Sequence, residues 1–362
     1  MARLPSPGIY FGMPEEEYHA APALSSSGIR NLLISPLDFW TNSYLNPAFV
    51  DEKTDAMVLG TAFHRRLLEP ERFAAMYGPW PRREDYPNAV DGGDDLKALC
   101  GEMGLKKSGK IADLCERILE ANPDAELWPV IKADLIQRLK GKTLLKASDL
   151  ADIERAARLI FAHQSAAKAL TGGYAEVAVF WIDEESGVPM KCRLDYLKVK
   201  SIVDVKSFSN PLGKPLNAAV AGAMAMGRYD VQAVIYDAGV TAAKRLLRER
   251  GSEVLHGASK IPNDWILAFA ACERHAFAFV FIETGPVTNV KVREFREFEG
   301  YGGQGMSVNA YWSAGLSGFR RGVRLYYDCM KQFGPDKPWI EDEPMKPFND
   351  MDFPMYMFNE AA

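Results

Sequence analysis

The chain has 362 residues, 48% of them hydrophobic and 25% charged, with a formal net charge of −5. This composition suits a large buried core and argues against a disordered or fibrous chain; the net acidity counts against a passive nucleic-acid coat but not against an enzyme with a local basic channel. Five cysteines, an odd number with no CxxC pair, argue against a disulfide framework, a compact zinc knuckle and a four-cysteine iron–sulfur cluster, and fit a reducing cytoplasm.

The opening MARLPSPGIYFGMPEEEYH lacks the apolar core of a secretory signal. The most apolar later stretch, ILAFAACERHAFAFVFI, is broken by Glu273, Arg274 and His275, so no membrane span is expected. Residues 1–90 read as helical pieces and loops. Ser25, Ser26 and Ser27 can cap a helix through GIRNLLI, Ser35-Pro36 opens another, and a third runs from Asp55 to Leu68. GPWPRREDYPNAVDGGDD reads as a linker. A helix–turn–helix pattern follows over 94–120, and 121–170 reads as helical. After Thr171-Gly172-Gly173 the period changes, and YAEVAVFWID, KCRLDYLKV and SIVDVKSF read as three strands. Residues 217–249 are helical again. Strands are expected at DWILAFAA, AFAFVFIE and VKVREF, then a helix over SVNAYWSAGLSGFRRGVRLYYDCM.

Strand geometry supplies the first chemical argument. Residues two apart share a face, so Asp204 and Lys206 point one way while Val203 and Val205 point into an apolar layer. Arg193 and Asp195 share a face of the preceding strand, and pairing of the two strands through the KVKS connection lets Asp195 and Asp204 converge. Two close carboxylates require a cation or a proton between them, and oxygen ligands on a rigid sheet suit magnesium or manganese. Glu176 is a third acid, on the face of Ala178 and Phe180. A lone D-x-K is usually a solvated face; here it interrupts an apolar strand, where charge is costly. Gly60 and His64 stand at i and i+4 of one helix, Gly60 permitting close approach of another backbone and His64 free to bind a metal or phosphate. Arg228, Gln232 and Tyr236 make a ladder at i, i+4 and i+8.

In this order, G-x-x-x-H, an acid in a strand, LDY, D-V-K and Q-x-x-x-Y, the chain resembles the PD-(D/E)xK nuclease superfamily, and within it the branch of RecB-type nuclease domains, lambda exonuclease and RecE (exonuclease VIII) proteins. LSSSGIRNLLISPLDFW and GKTLLKASDLADIERAARLIFAH are similar to RecE-like phage and prophage nucleases. The resemblance implies an α/β fold: a central mixed β-sheet flanked by helices, of the restriction-endonuclease type. It implies that Asp195 and Asp204 are metal ligands and Lys206 the catalytic lysine, with His64 and the Val205 carbonyl as further ligands. Glu176 would sit near the metals, and Gln232 and Tyr236 would be the active-site helix pair. The cofactor would be Mg2+ or Mn2+, as two ions, with no iron–sulfur cluster. Asp204 stands where many relatives carry Glu; its shorter arm still binds metal.

DDLKALCGEMGLKKSGKIADLCERILE resembles the SAP motif, a helix-extended-helix DNA-binding module, with a minicore of Leu96, Leu99, Leu105, Leu114 and Ile118. Lys106, Lys107, Lys110 and Arg117 gather near its turn, where helix amides can hold a phosphate; Arg193 and Arg228 are DNA-contact candidates elsewhere. The expected division is 1–90, the N-terminal helical part of the nuclease domain; 91–122, the SAP-like insertion; and 123–362, the nuclease core and C-terminal tail. The resemblance implies an exodeoxyribonuclease acting 5′-to-3′ on duplex ends and leaving 3′ single strands for an annealing recombination partner. It further implies a ring-like homo-oligomer in the cytoplasm of a bacterial or phage-infected cell. The alternatives are an endonuclease or single-strand nuclease using the same site, and an inactive DNA-binding protein of the same fold.

Overall fold

A computed structural model describes residues 3–50, 54–285, 287–299, 307–342, 346–347, 349 and 352. The chain begins with β1 (Gly8–Tyr10), α1 (Glu15–Ala20), α2 (Ser26–Ile34), α3 (Pro36–Thr41), α4 (Asp55–Leu68), α5 (Pro70–Met76) and β2 (Tyr77–Pro79). A helical stretch follows: α6 (Gly93–Glu102), α7 (Ile111–Ala121), α8 (Trp128–Arg138), β3 (Thr143–Leu145), α9 (Ala147–Ala162) and α10 (Gln164–Ala169). Next come β4 (Tyr174–Ile182), β5 (Pro189–Leu197), β6 (Ser201–Ser209), α11 (Leu216–Gly227), α12 (Tyr229–Arg250), β7 (Leu255–His256) and α13 (Asn263–Ala271). The chain closes with β8 (Ala276–Thr284), β9 (Val290–Phe295), β10 (Phe298–Glu299), β11 (Ser307–Val308) and α14 (Ala310–Phe333).

Capping sets the early helices where serine and proline place them. Ser25 Oγ accepts the Gly28 N–H at 3.1 Å, and Ser35 Oγ accepts that of Asp38 at 2.9 Å. Each satisfies an amide the first turn leaves open. The expected central mixed sheet flanked by helices is present, in the order β7-β1-β4-β5-β6-β8-β9. The β1/β4, β4/β5, β5/β6 and β8/β9 pairs are antiparallel, and β1/β7 and β6/β8 parallel. One face packs on the buried helix α12, with Val177, Cys192, Ile202 and Phe279 in that layer. Over the other face lie α4, α9 and α10, against Tyr196, Val203, Val205 and Ile282. Gly239 lets α12 sit close to the sheet: a Cβ there would stand 2.6 Å from Cys192 Sγ.

Three expectations are corrected. Residues 1–90 are not all helix and loop, because Gly8–Tyr10 adds a strand beside β4. Residues 121–170 are likewise interrupted by β3, which pairs with β2 in parallel. DWILAFAA lies in α13, not in a strand: Trp265 and Phe269, four apart, stack with centroids 5.3 Å from each other. Among the described residues no helix is long and apolar enough to cross a membrane. Helices α6 and α7 carry their own small core of Leu96, Cys100, Leu114, Cys115 and Ile118, joined by Leu127; Leu99 and Leu105 only flank it.

Candidate active site

The sheet opens between β5 and β6. Their ladder covers Tyr196 with Val203 and Leu197 with Ile202, whereas β6 pairs with β8 over its whole length. Past Tyr196, Asp195 takes the place of the backbone ladder: its Oδ2 accepts the Val205 N–H at 2.7 Å. Strict alternation also fails here in both β4 and β5. Glu176 has φ 52°, in the left-handed region, a conformation costly for a side chain of this kind and frequent at functional sites. On β5, Leu194 and Leu197 lie in the α12 layer while Tyr196 lies in the opposite one. Asp195 is at that change of parity, so the acids come to the seam from strands that alternation alone describes incompletely.

Asp204 enters the seam from β6 and is fully buried. Gln232 Nε2, from α12, donates to its Oδ1 at 2.8 Å. Lys206 Nζ is 2.6 Å from Oδ2 as an ion pair, yet Oδ2 receives no aligned hydrogen bond. Burial drives the Asp204 pKa up; Lys206 opposes this and Asp195 adds to it. For Lys206 burial works against the ammonium, but Asp204 and Asp195 outweigh it and hold the pKa above the ordinary value, so this lysine is charged at neutral pH. Its Nζ also lies 4.9 Å from the Tyr229 ring centroid.

On the α4 side, His64 Nδ1 stands 3.9 Å from Asp195 Oδ2. Burial lowers the His64 pKa, opposed by Asp195 and reinforced by Lys206 and Arg193, which favours the neutral imidazole that a metal binds. The next residue, Arg65, ties α4 to α1 through Glu15 at 3.1 Å. Glu176 pairs with Arg193 Nε at 2.8 Å; burial raises the acid's pKa although Arg193 opposes it. Tyr236 is buried, and burial, then Asp204 and Asp195, push its pKa well above normal.

Other expected residues lie differently. Arg228 is not part of the α12 ladder: with φ 46° it turns the chain between α11 and α12 and donates to Asp230 at 2.9 and 3.0 Å. The row along α12 is instead Tyr229, Gln232 and Tyr236, which the i, i+3, i+7 spacing contained. Arg193 is engaged by Glu176 and stacks on Tyr18, its guanidinium carbon 5.3 Å from the ring centroid. Gly60 does not admit a neighbouring backbone, since nothing lies within 4 Å of where its Cβ would be. Lys106, Lys107 and Lys110 are exposed around the α6–α7 turn. Arg117, by contrast, holds that turn, donating to the carbonyls of Lys106 and Ser108. Arg30 reaches the site from α2: Nη1 donates to the Gly227 carbonyl at 2.7 Å, Nε is buried without a partner, and its charge favours ionised Asp204.

Residues 25–246, more than half of the chain, match the family described as a PDDEXK-like domain of unknown function (DUF3799). The chain belongs to this family. The matched span holds every residue of the seam, from Arg30 and His64 to Tyr236. A crystal structure of a "Putative exonuclease" from Eubacterium rectale covers 94% of this chain and 98% of its own, at 13% identity and a TM-score of 0.44; a likeness that distant carries no argument. No curated protein matches the chain.

The donor set fits a divalent metal. Asp204 Oδ2 is a buried carboxylate oxygen whose charge faces the Lys206 ammonium at 2.6 Å, and Asp195 and His64 stand across the same seam. The carboxylate oxygens suit magnesium or manganese. Among the described residues no three His, Cys, Asp or Glu side chains form a ready-made cage. Magnesium usually takes one or two carboxylates and completes its sphere with water and substrate phosphate.

Proposed function

We propose that this PDDEXK-like chain is a metal-dependent nuclease that digests duplex DNA from its ends. The observation that carries the reading is the buried Asp204–Lys206 pair, held by Gln232 in a seam that Asp195 and His64 also reach. Charges are expensive to bury without a purpose. Asp195 and Asp204 would hold Mg2+ or Mn2+, with His64 and the Val205 carbonyl as further donors; two ions are the count the family likeness suggests. A bound ion neutralises charge on the phosphodiester and supplies a nucleophile at neutral pH. Lys206, charged, donates hydrogen bonds to the attacking water or to the phosphoryl oxygens rather than acting as a base. Gln232 fixes the Asp204 carboxylate, and Tyr236 lies about one turn further along the same helix as Gln232. Glu176 neutralises Arg193 at the edge of the seam, leaving that arginine to meet a phosphate only by exchanging partners.

Exonuclease action, 5′-to-3′ travel, 3′ single strands handed to an annealing partner, and a ring of subunits in the cytoplasm follow from the likeness to RecE-type proteins. The lysines of the α6–α7 unit would add sequence-independent affinity for the duplex, as in a SAP module. Digestion of linear duplex labelled at either 5′ or 3′ end, with Mg2+, tests activity and direction together. Cleavage of closed circles favours the endonuclease reading, and DNA binding unaccompanied by any hydrolysis favours an inactive fold.

A further inference from the structure

The Lys206 side chain is framed by aromatic rings as well as by Asp204. Asp204 faces its ammonium at 2.6 Å, and the register partners of Asp204 and Lys206 on β8 are Phe279 and Phe281. The centroid of the Tyr229 ring lies 6.1 and 6.4 Å from theirs and 4.9 Å from Lys206 Nζ. Tyr229 is the first residue of α12, and the residues before it fix its place. A Cβ on Gly227 would collide with the Tyr229 ring. Arg228 turns the backbone at φ 46° and is braced by Asp230 at 2.9 Å; this conformation is costly for any residue but glycine and clusters at functional sites. Arg30 holds the Gly227 carbonyl at 2.7 Å. A bare glycine, a left-handed arginine and an arginine clamp thus set one ring beside the candidate catalytic lysine.

We propose that Tyr229 is a positioning residue for Lys206, its ring holding the ammonium by a cation–π contact in the orientation that serves the scissile phosphodiester; the proposal rests on the nuclease reading above. A lysine ammonium is a compact charge with three N–H donors on a flexible four-carbon stem. Asp204 alone anchors it on one side and leaves the stem free to swing. A ring within about 6 Å of the charge supplies a second anchor, worth most where water is excluded, and the Lys206 side chain is only 14% exposed. With one side of the ammonium on Asp204 and another on the ring, a remaining N–H is left for the attacking water or a phosphoryl oxygen. The contact is made by the ring, so it survives loss of the hydroxyl.

The test compares Tyr229→Leu, Tyr229→Phe and Gly227→Ala with the wild type, with thermal melts as a folding control. Gly227→Ala keeps the tyrosine but pushes its ring aside, so it decides the matter even where Tyr229→Leu does not fold. On labelled duplex with Mg2+, Tyr229→Leu and Gly227→Ala should each lower kcat about tenfold with KM unchanged. Tyr229→Phe, which restores a ring, should recover most of that loss. A loss in Tyr229→Phe as large as in Tyr229→Leu, or a loss carried by KM alone, overturns the proposal. A second readout needs no activity. In protein isotope-labelled at the lysine ε-carbon, the ring current should move one ε-CH2 proton signal upfield, the signal that Lys206→Ala lacks. It should persist in Tyr229→Phe and return to the ordinary lysine position in Tyr229→Leu and Gly227→Ala. No shifted Lys206 signal in the wild type overturns the ring contact. A signal that behaves as expected in a protein that never hydrolyses DNA leaves the contact standing and refutes the nuclease reading alone.

Discussion

Asp204 has one oxygen held by Gln232 and one facing the Lys206 ammonium at 2.6 Å, and the two call for different substitutions. Asp204→Asn keeps the shape but removes the anionic ligand, and Lys206→Ala removes the charged donor; each should abolish hydrolysis by at least about a hundredfold while DNA binding persists. Gln232→Ala leaves both in place and frees the carboxylate to rotate, which should cost about 10–100-fold. Initial rates on labelled duplex, with thermal melts as a folding control, check all three. His275 offers a pH prediction away from the seam. Burial, then Lys244, pulls its pKa from 6.5 down to about 4. Between those values the unfolded chain binds the proton that the folded chain refuses, so stability falls as pH drops from 6.5 to 4. His275→Asn lacks this group, and its melting temperature should fall less on that acidification than the wild type's. Equal falls in both proteins would contradict the assignment.

Glycines set how the helices meet. In α14 a Cβ on Gly315 would stand 2.5 Å from the Asp230 carbonyl oxygen, and one on Gly322 would stand 2.6 Å from Ile29 Cγ2. Gly315→Ala should therefore destabilise by about 1–3 kcal/mol and, by displacing the start of α12, weaken hydrolysis through Gln232. Gly60→Ala meets nothing within 4 Å and should gain about 0.5–1 kcal/mol from helix propensity; urea unfolding of the pair measures the contrast. Much of this level was legible in the chain. The α4 bounds, the serine caps and the three strands β4, β5 and β6 follow from capping chemistry and period. The misses have physical reasons. Strand β1 is three residues long and is made by its neighbours β4 and β7. An apolar run like that of α13 does not distinguish strand from helix by period, although Pro262 and Asp264 at its start are helix-opening signals. The convergence of Asp195 on Asp204 was legible from register. The parity break at Glu176 and Asp195, and the capture of the Val205 amide, depend on strands diverging, which no local pattern records.

At the scale of the whole molecule, the α6–α7 unit has its own core and its ends lie side by side: the Val90 N–H donates to Glu126 O at 2.8 Å and the Trp128 N–H to Val90 O at 2.9 Å. Deleting residues 92–122 should thus leave the sheet and seam folded. If Lys106, Lys107 and Lys110 meet phosphates, the deletion should weaken DNA binding and flatten its logarithmic salt slope by about 0.9 per contact, with hydrolysis kept; an unchanged slope contradicts that role. The central claim, that the seam is a metal-dependent nuclease site acting at duplex ends, is tested most directly by one measurement. End-labelled linear duplex and closed circular duplex are incubated with Mg2+ and either the wild-type chain or Lys206→Ala. The expected result is digestion of the linear duplex alone, by the wild type alone. Metal-dependent cleavage by pure Lys206→Ala protein, or equal cleavage of circles, would contradict the account.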